Sequence, residues 1–201
     1  MTEYLGFSWL GALFLLALTV PNLLWTRRKP QGYAPSREDR RLTLLERIGQ
    51  VWVTSGALLS RGIALRPWSV WSWWLAGAAA LMGLYEIWWA RYFRSPRTMA
   101  DFTAGLLGVP VAGASLPVAA FFLLGIYGRV WWMLPGVVVL GIGHIGIHLG
   151  YRREAAALSI YISSAVPWAW ERPPSAGSSR SGWTGASSWT GTGAGTRIPS
   201  R

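Results

Sequence analysis

Apolar residues in this chain gather in long runs instead of the short alternations of strands. Segments near residues 5–25, 68–90, 102–127 and 130–149 are each mostly apolar. Each is long enough for a helix to cross a hydrocarbon core of about 30 Å, which takes about 20 residues. A further segment, 42–60, carries Glu46, Arg47 and Gln50 in its first half and is apolar in its second. It is counted as a span whose polar end lies at the interface. The pattern predicts an all-α integral membrane bundle of about five transmembrane helices.

The basic residues orient these spans. Cytoplasmic loops of membrane proteins carry the excess of Lys and Arg. With five spans, Arg27, Arg28, Lys29, Arg37, Arg40, Arg41, Arg47, Arg91, Arg94, Arg97, Arg152 and Arg153 share one side, against Arg61, Arg66 and Arg129 on the other. Twelve against three predicts the N-terminus outside and the C-terminus in the cytoplasm. Trp68, Trp71, Trp73 and Trp74 at one end of the third span, and Trp88, Trp89 and Tyr92 at the other, are expected in the two interfacial aromatic belts. Glu3 is acidic where a signal peptide is basic, and no A-x-A site follows, so the first segment is expected to stay as an anchor.

Past Arg153 the pattern breaks. Residues 154–201 form an apolar stretch followed by a Gly/Ser/Thr-rich tail, expected to be largely disordered because it offers too little apolar surface to offset ordering entropy.

Composition agrees with the bilayer. Apolar residues make up 52% and charged residues 13%, about half the charged share of soluble chains. The net charge of +11 does not predict nucleic-acid binding, because the cations lie between apolar segments and not on a folded basic face. There is no Cys, which excludes disulfides, thiolate metal sites and a Cys nucleophile.

The candidate chemistry shares one depth. Glu46, Gln50, Glu86, His144 and His148 all fall toward the cytoplasmic ends of their spans. Polar and ionisable groups in membrane helices usually face the bundle interior or a wet cavity. His144 and His148, in GIGHIGIHLG, are four apart and so share a helical face. With Glu86 they could ligate a divalent metal, or a haem. H-x-x-x-H lacks the Glu of a metalloprotease helix, since Ile145 stands there. The blander reading is that the histidines hydrogen-bond within a packed helix pair, while Glu46 and Glu86 pair with Arg47 and with Arg91 or Arg94. Gly141, Gly143, Gly146 and Gly150 suit close helix packing, within the chain or toward a second copy or a membrane partner. Pro110 and Pro117 are expected to kink the fourth span.

The strings PNLLWTRRKP, LLERIGQV, LYEIWWARYF, PVAGASLPVAAFFLLGIYG and GIGHIGIHL resemble a family of small bacterial polytopic membrane proteins without an established activity. The resemblance implies a bacterial plasma membrane and a helical bundle, and it assigns no site residues. Three functions follow as expectations: a small transporter or ion pathway, a metal- or haem-binding membrane enzyme, or an accessory subunit without chemistry of its own.

Overall fold

The structure, a computed structural model, describes residues 5–30, 32–33 and 38–165. The expected disordered tail from residue 166 onward lies outside the described residues. Those described are all-α, with six helices: α1 Trp9–Thr26, α2 Arg40–Leu59, α3 Ser72–Arg94, α4 Met99–Phe102, α5 Ala112–Tyr127 and α6 Met133–Ala165. The five long helices fall on the five apolar segments. By length and composition, α1 and Met133–Ser164 of α6 are apolar enough to cross a membrane, and α5 is a shorter apolar helix.

Local chemistry sets the boundaries. Ser8 caps α1 by accepting from the Gly11 amide at 2.9 Å, and Asp39 caps α2 through the Arg41 amide at 2.7 Å. Both supply an acceptor to N–H groups that a first turn leaves unpaired. α5 starts later than the apolar pattern suggests. Leu106 to Val109 form a tight turn in which Leu107 and Gly108 both have positive φ, 50° and 81°, and the chain cannot become helical until it has left that turn. Pro110 therefore precedes α5 and kinks nothing, whereas Pro117 lies within it. α6 continues through residues 154–165, past the break in composition, because Ala155, Ala156, Ala157 and Leu158 are strong helix formers.

Glycines hold α2 and α6 together. A Cβ on Gly49 would meet the backbone of Leu140, and one on Gly143 would lie 2.6 Å from the Leu42 carbonyl oxygen and 2.8 Å from the Glu46 Cα. Gly146 faces the Leu42 side chain, Gly136 faces Trp52, and Gly141 faces Val118 of α5. Nothing lies against Gly150. Most of the GIGHIGIHLG glycines thus serve packing inside this chain, bringing two backbones into contact as small residues do in helix interfaces.

The aromatic end of α3 departs from the sequence pattern. Trp68 and Trp73 are exposed, but Trp88, Trp89 and Tyr92 are among the most buried side chains. Trp88 stacks on Tyr92 at 5.9 Å and donates Nε1–H to the Ala104 carbonyl at 3.0 Å. Tyr92 donates to the Arg28 carbonyl at 2.9 Å. Instead of forming a belt, these rings are core, joining α3 to the end of α1 and to the α4–α5 connection. Gly113 makes room by lying against the Trp88 ring.

Candidate functional site

α1 touches α2 at one end and α3 at the other, leaving a space between. At the first contact Gly11 abuts the Ala57 backbone, and the Ser8 hydroxyl donates to the Ile63 carbonyl at 2.5 Å. At the other, Asn22 Nδ2 donates to the Tyr85 hydroxyl at 2.9 Å, and that hydroxyl donates to the Leu18 carbonyl at 3.2 Å. Between these ties is a cavity of about 920 Å³ walled by α1, α2, α5 and α6, with Phe102, Trp88 and Trp89 also on its surface.

One α2 wall is a polar stripe. Thr43, Glu46, Gln50 and Thr54 all line the cavity, and spacings of three and four residues put them on one helix face. The opposite wall offers Thr19, Asn22 and Thr26 from α1, interleaved with Leu15, Leu18 and Leu23. Tyr33, Glu38, Arg47, His144, His148 and Tyr151 add further polar groups, and leucines and aromatic rings make up most of the rest.

Four of the five sequence-predicted residues come together here. His144 Nδ1 and Glu46 Oε1 are 2.5 Å apart, so a protonated Nδ1 donates a short charge-assisted hydrogen bond to the carboxylate. Gly143 makes this possible: the α2 backbone at Glu46 rests directly on it, and the next residue is His144. Gln50 Nε2 is 3.5 Å from the same carboxylate oxygen. The His148 ring lies 4.8 Å from that of His144 and 4.9 Å from Phe102. His148 is 9% exposed, and its Nδ1 has no hydrogen-bond partner among the described residues.

Glu86 is elsewhere. It lies on α3, does not line the cavity, and makes no ion pair with Arg91 or Arg94; Arg91 instead donates to the Gly105 carbonyl at 3.2 Å. Likewise Glu46 pairs with His144 and not with Arg47, which is exposed. Among the described residues no group of three or more His, Asp or Glu side chains is arranged to hold a metal ion.

Three residues without a sequence signal of their own join the site. Glu38 Oε1 accepts from the Tyr151 hydroxyl at 2.7 Å and from the Tyr33 hydroxyl at 3.2 Å. The Tyr33 ring lies 5.4 Å from Tyr151 and 5.0 Å from Trp25, which stacks on Phe102 at 5.4 Å. The Tyr33 phenol is held above its ordinary value, first by burial; the Tyr151 hydrogen bond opposes this, and the charges of Glu38 and Glu46 add to it. Tyr151 lies three residues beyond His148 and seven beyond His144, the same helical face. That spacing was the available clue. The end of the cavity is therefore a horseshoe: one carboxylate with two imidazoles, then aromatic rings, then a second carboxylate with two phenols.

Compared with known proteins, the chain matches no protein-family model, no curated protein and no solved structure.

Proposed function

We propose that this chain is a small multi-pass transporter of a bacterial plasma membrane, in which the Glu46–His144 pair exchanges protons with the cavity. The membrane reading is supported by the outward faces of the helices. Leu13 and Val20 of α1, Leu44, Ile48 and Val51 of α2, Ile87 of α3, and Val138 and Ile142 of α6 are all exposed. Exposed apolar residues on four helices favour a cover of lipid or another partner. The five-span topology, with the N-terminus outside and the C-terminus in the cytoplasm, keeps all twelve cations named above on one side.

One observation carries the function: an imidazole hydrogen-bonded to a carboxylate on the wall of a large cavity. Histidine changes charge near neutral pH, and ionisable groups at membrane depth mark proton and solute paths. A proton reaching His144 leaves a hydrogen-bonded ion pair with Glu46, and one leaving restores a neutral ring beside the carboxylate. The α2 stripe from Thr43 to Thr54 extends the polar surface by about 16 Å along the helix, half of a hydrocarbon core.

The test is proton uptake into proteoliposomes that enclose a pH-sensitive dye, driven by an imposed membrane potential. Uptake is expected to exceed that of protein-free vesicles and to fall to their level in Glu46→Gln and His144→Gln. Uptake equal to that of protein-free vesicles, or unaltered in Glu46→Gln, overturns the proposal.

A further inference from the structure

Both carboxylates at this end of the cavity have acceptor capacity to spare. Their hydrogen bonds among the described residues all go to Oε1: Glu46 to His144 and Gln50, Glu38 to Tyr33 and Tyr151. A carboxylate has about four lone-pair sites over its two oxygens, so the second oxygen of each remains to receive donors. Among the described residues the lining carries one further charged group, Arg47, which is exposed.

Between the carboxylates stand the faces of aromatic rings, and a cation already sits on them. Lys29 Nζ lies 5.4 Å from the Trp25 ring centre and 5.7 Å from that of Tyr33, within cation–π range. His148, on the same lining, is a buried ring whose Nδ1 has no partner among the described residues. A buried polar atom left unpaired is costly, and a neutral imidazole nitrogen without its proton accepts an N–H. Beyond these groups the cavity turns apolar, with Leu15, Leu18, Leu58, Phe121 and Leu140.

We propose that this cavity binds a protonated amine carrying an apolar body, with its N–H toward Glu38, Glu46 and His148 and its charge against Trp25 and Tyr33. The carboxylates attract the charge, the rings tolerate it without competing hydrogen bonds, and the leucine-lined remainder takes the hydrocarbon. Lys29 is the internal competitor for the same rings. The inference rests on the preceding reading only in using the same cavity; amine binding requires no proton movement.

The experiment is calorimetric titration of the full chain in zwitterionic nanodiscs with three probes: (naphthylmethyl)dimethylamine, its N-methylated quaternary analogue, and naphthylmethanol. The amine is expected to bind saturably, the quaternary ion more weakly because it has no N–H, and the alcohol weakest. Glu38→Gln and Glu46→Gln should each weaken the amine about tenfold, as loss of a charge-assisted hydrogen bond does. Lys29→Met should tighten it by about threefold by freeing the rings, an effect in the opposite direction that a misfolded variant cannot produce. His148→Phe should narrow the gap between amine and quaternary ion. Alcohol binding as tight as the amine, or amine affinity unaltered in Glu38→Gln, Glu46→Gln and Lys29→Met, overturns the proposal. Absent amine binding with Glu46-dependent proton uptake removes the amine site and leaves the transporter reading standing. Saturable amine binding with uptake equal to protein-free vesicles does the reverse.

Discussion

The two sides of α2 are built on opposite rules. Toward α6, Gly49, Gly56, Gly136 and Gly143 leave the facing helix no room for a further methyl group. Toward α1, Thr43, Glu46, Gln50, Thr54 and Leu58 line a cavity of about 920 Å³. The seam is close, with backbone against backbone at Gly49 and Gly143; the gap is roomy and chemically mixed. Glu46 belongs to both, its backbone in the seam and its carboxylate at the rim of the gap. The seam thus acts as the ruler that sets where the functional group of the gap stands.

The most forceful way to break this contrast is to thicken the seam. Gly143→Val should destabilise the protein by about 3 kcal/mol, the upper range for overpacking, and separate Glu46 from His144. Thermal unfolding in detergent should show a large drop, accompanied by loss of proton uptake. Leu58→Val on the gap side should cost roughly 1 kcal/mol or less, because the side chain already borders open space. Equal losses for the two would refute the contrast.

A smaller effect is expected where α1 is tied to α3. Tyr85→Phe removes a buried hydroxyl that bonds Asn22 and the Leu18 carbonyl, at a cost of about 1 kcal/mol. It should also loosen the far wall of the gap. Hydrogen exchange of α1 that rises in Tyr85→Phe while α2 and α6 stay protected would sharpen the comparison; equal exchange in all three helices would count against it.

The smallest effect concerns a region that belongs to neither side. Thr98 and Asp101 form a capping box at α4, with bonds of 3.1 Å to the Asp101 amide and 2.9 Å to the Thr98 amide. Burial pushes the Asp101 carboxyl up, but hydrogen bonds from Thr98 outweigh it and the net shift is below the ordinary 3.8. A carboxyl lowered in the folded state stabilises above its unfolded value and loses that contribution as pH falls through the folded one. The melting-temperature gap between wild type and Asp101→Asn should therefore be modest at neutral pH and shrink as pH falls below the ordinary 3.8. A gap that persists there would show the cap to be independent of charge.

The helices were legible in the chain because apolar length alone marks them, including α2, whose outer face of Leu44, Ile48 and Val51 runs past its charges. The joining of Glu46 to His144 was not, since depth along a helix says nothing about rotation around it. What fixes the rotation is Gly143 against the Glu46 backbone, a pairing of residues 97 apart from Glu46 to Gly143 in the chain. Glu86 shows the limit of depth: it was grouped with the histidines but α3 turns it away from the cavity. The reverse holds for Trp88, Trp89 and Tyr92, whose composition suits an interface but whose rings pack on one another inside the fold, Trp88 and Tyr92 with carbonyl partners as well.

α6 is one unbroken rod of 33 residues, about 50 Å at the rise of an α-helix. Gly143, with the α2 backbone resting on it, is a fulcrum about a third of the way along. His148 stands on the long arm, about 7 Å from it, and Ala165 about 33 Å away. A tilt of roughly 10° about that point shifts the His148 position by about 1 Å and the far end of the helix by about 6 Å. The imidazole pair therefore sits close to the tightest α2 contact, and a tilt there would carry the end of α6 several times farther than it carries the rings.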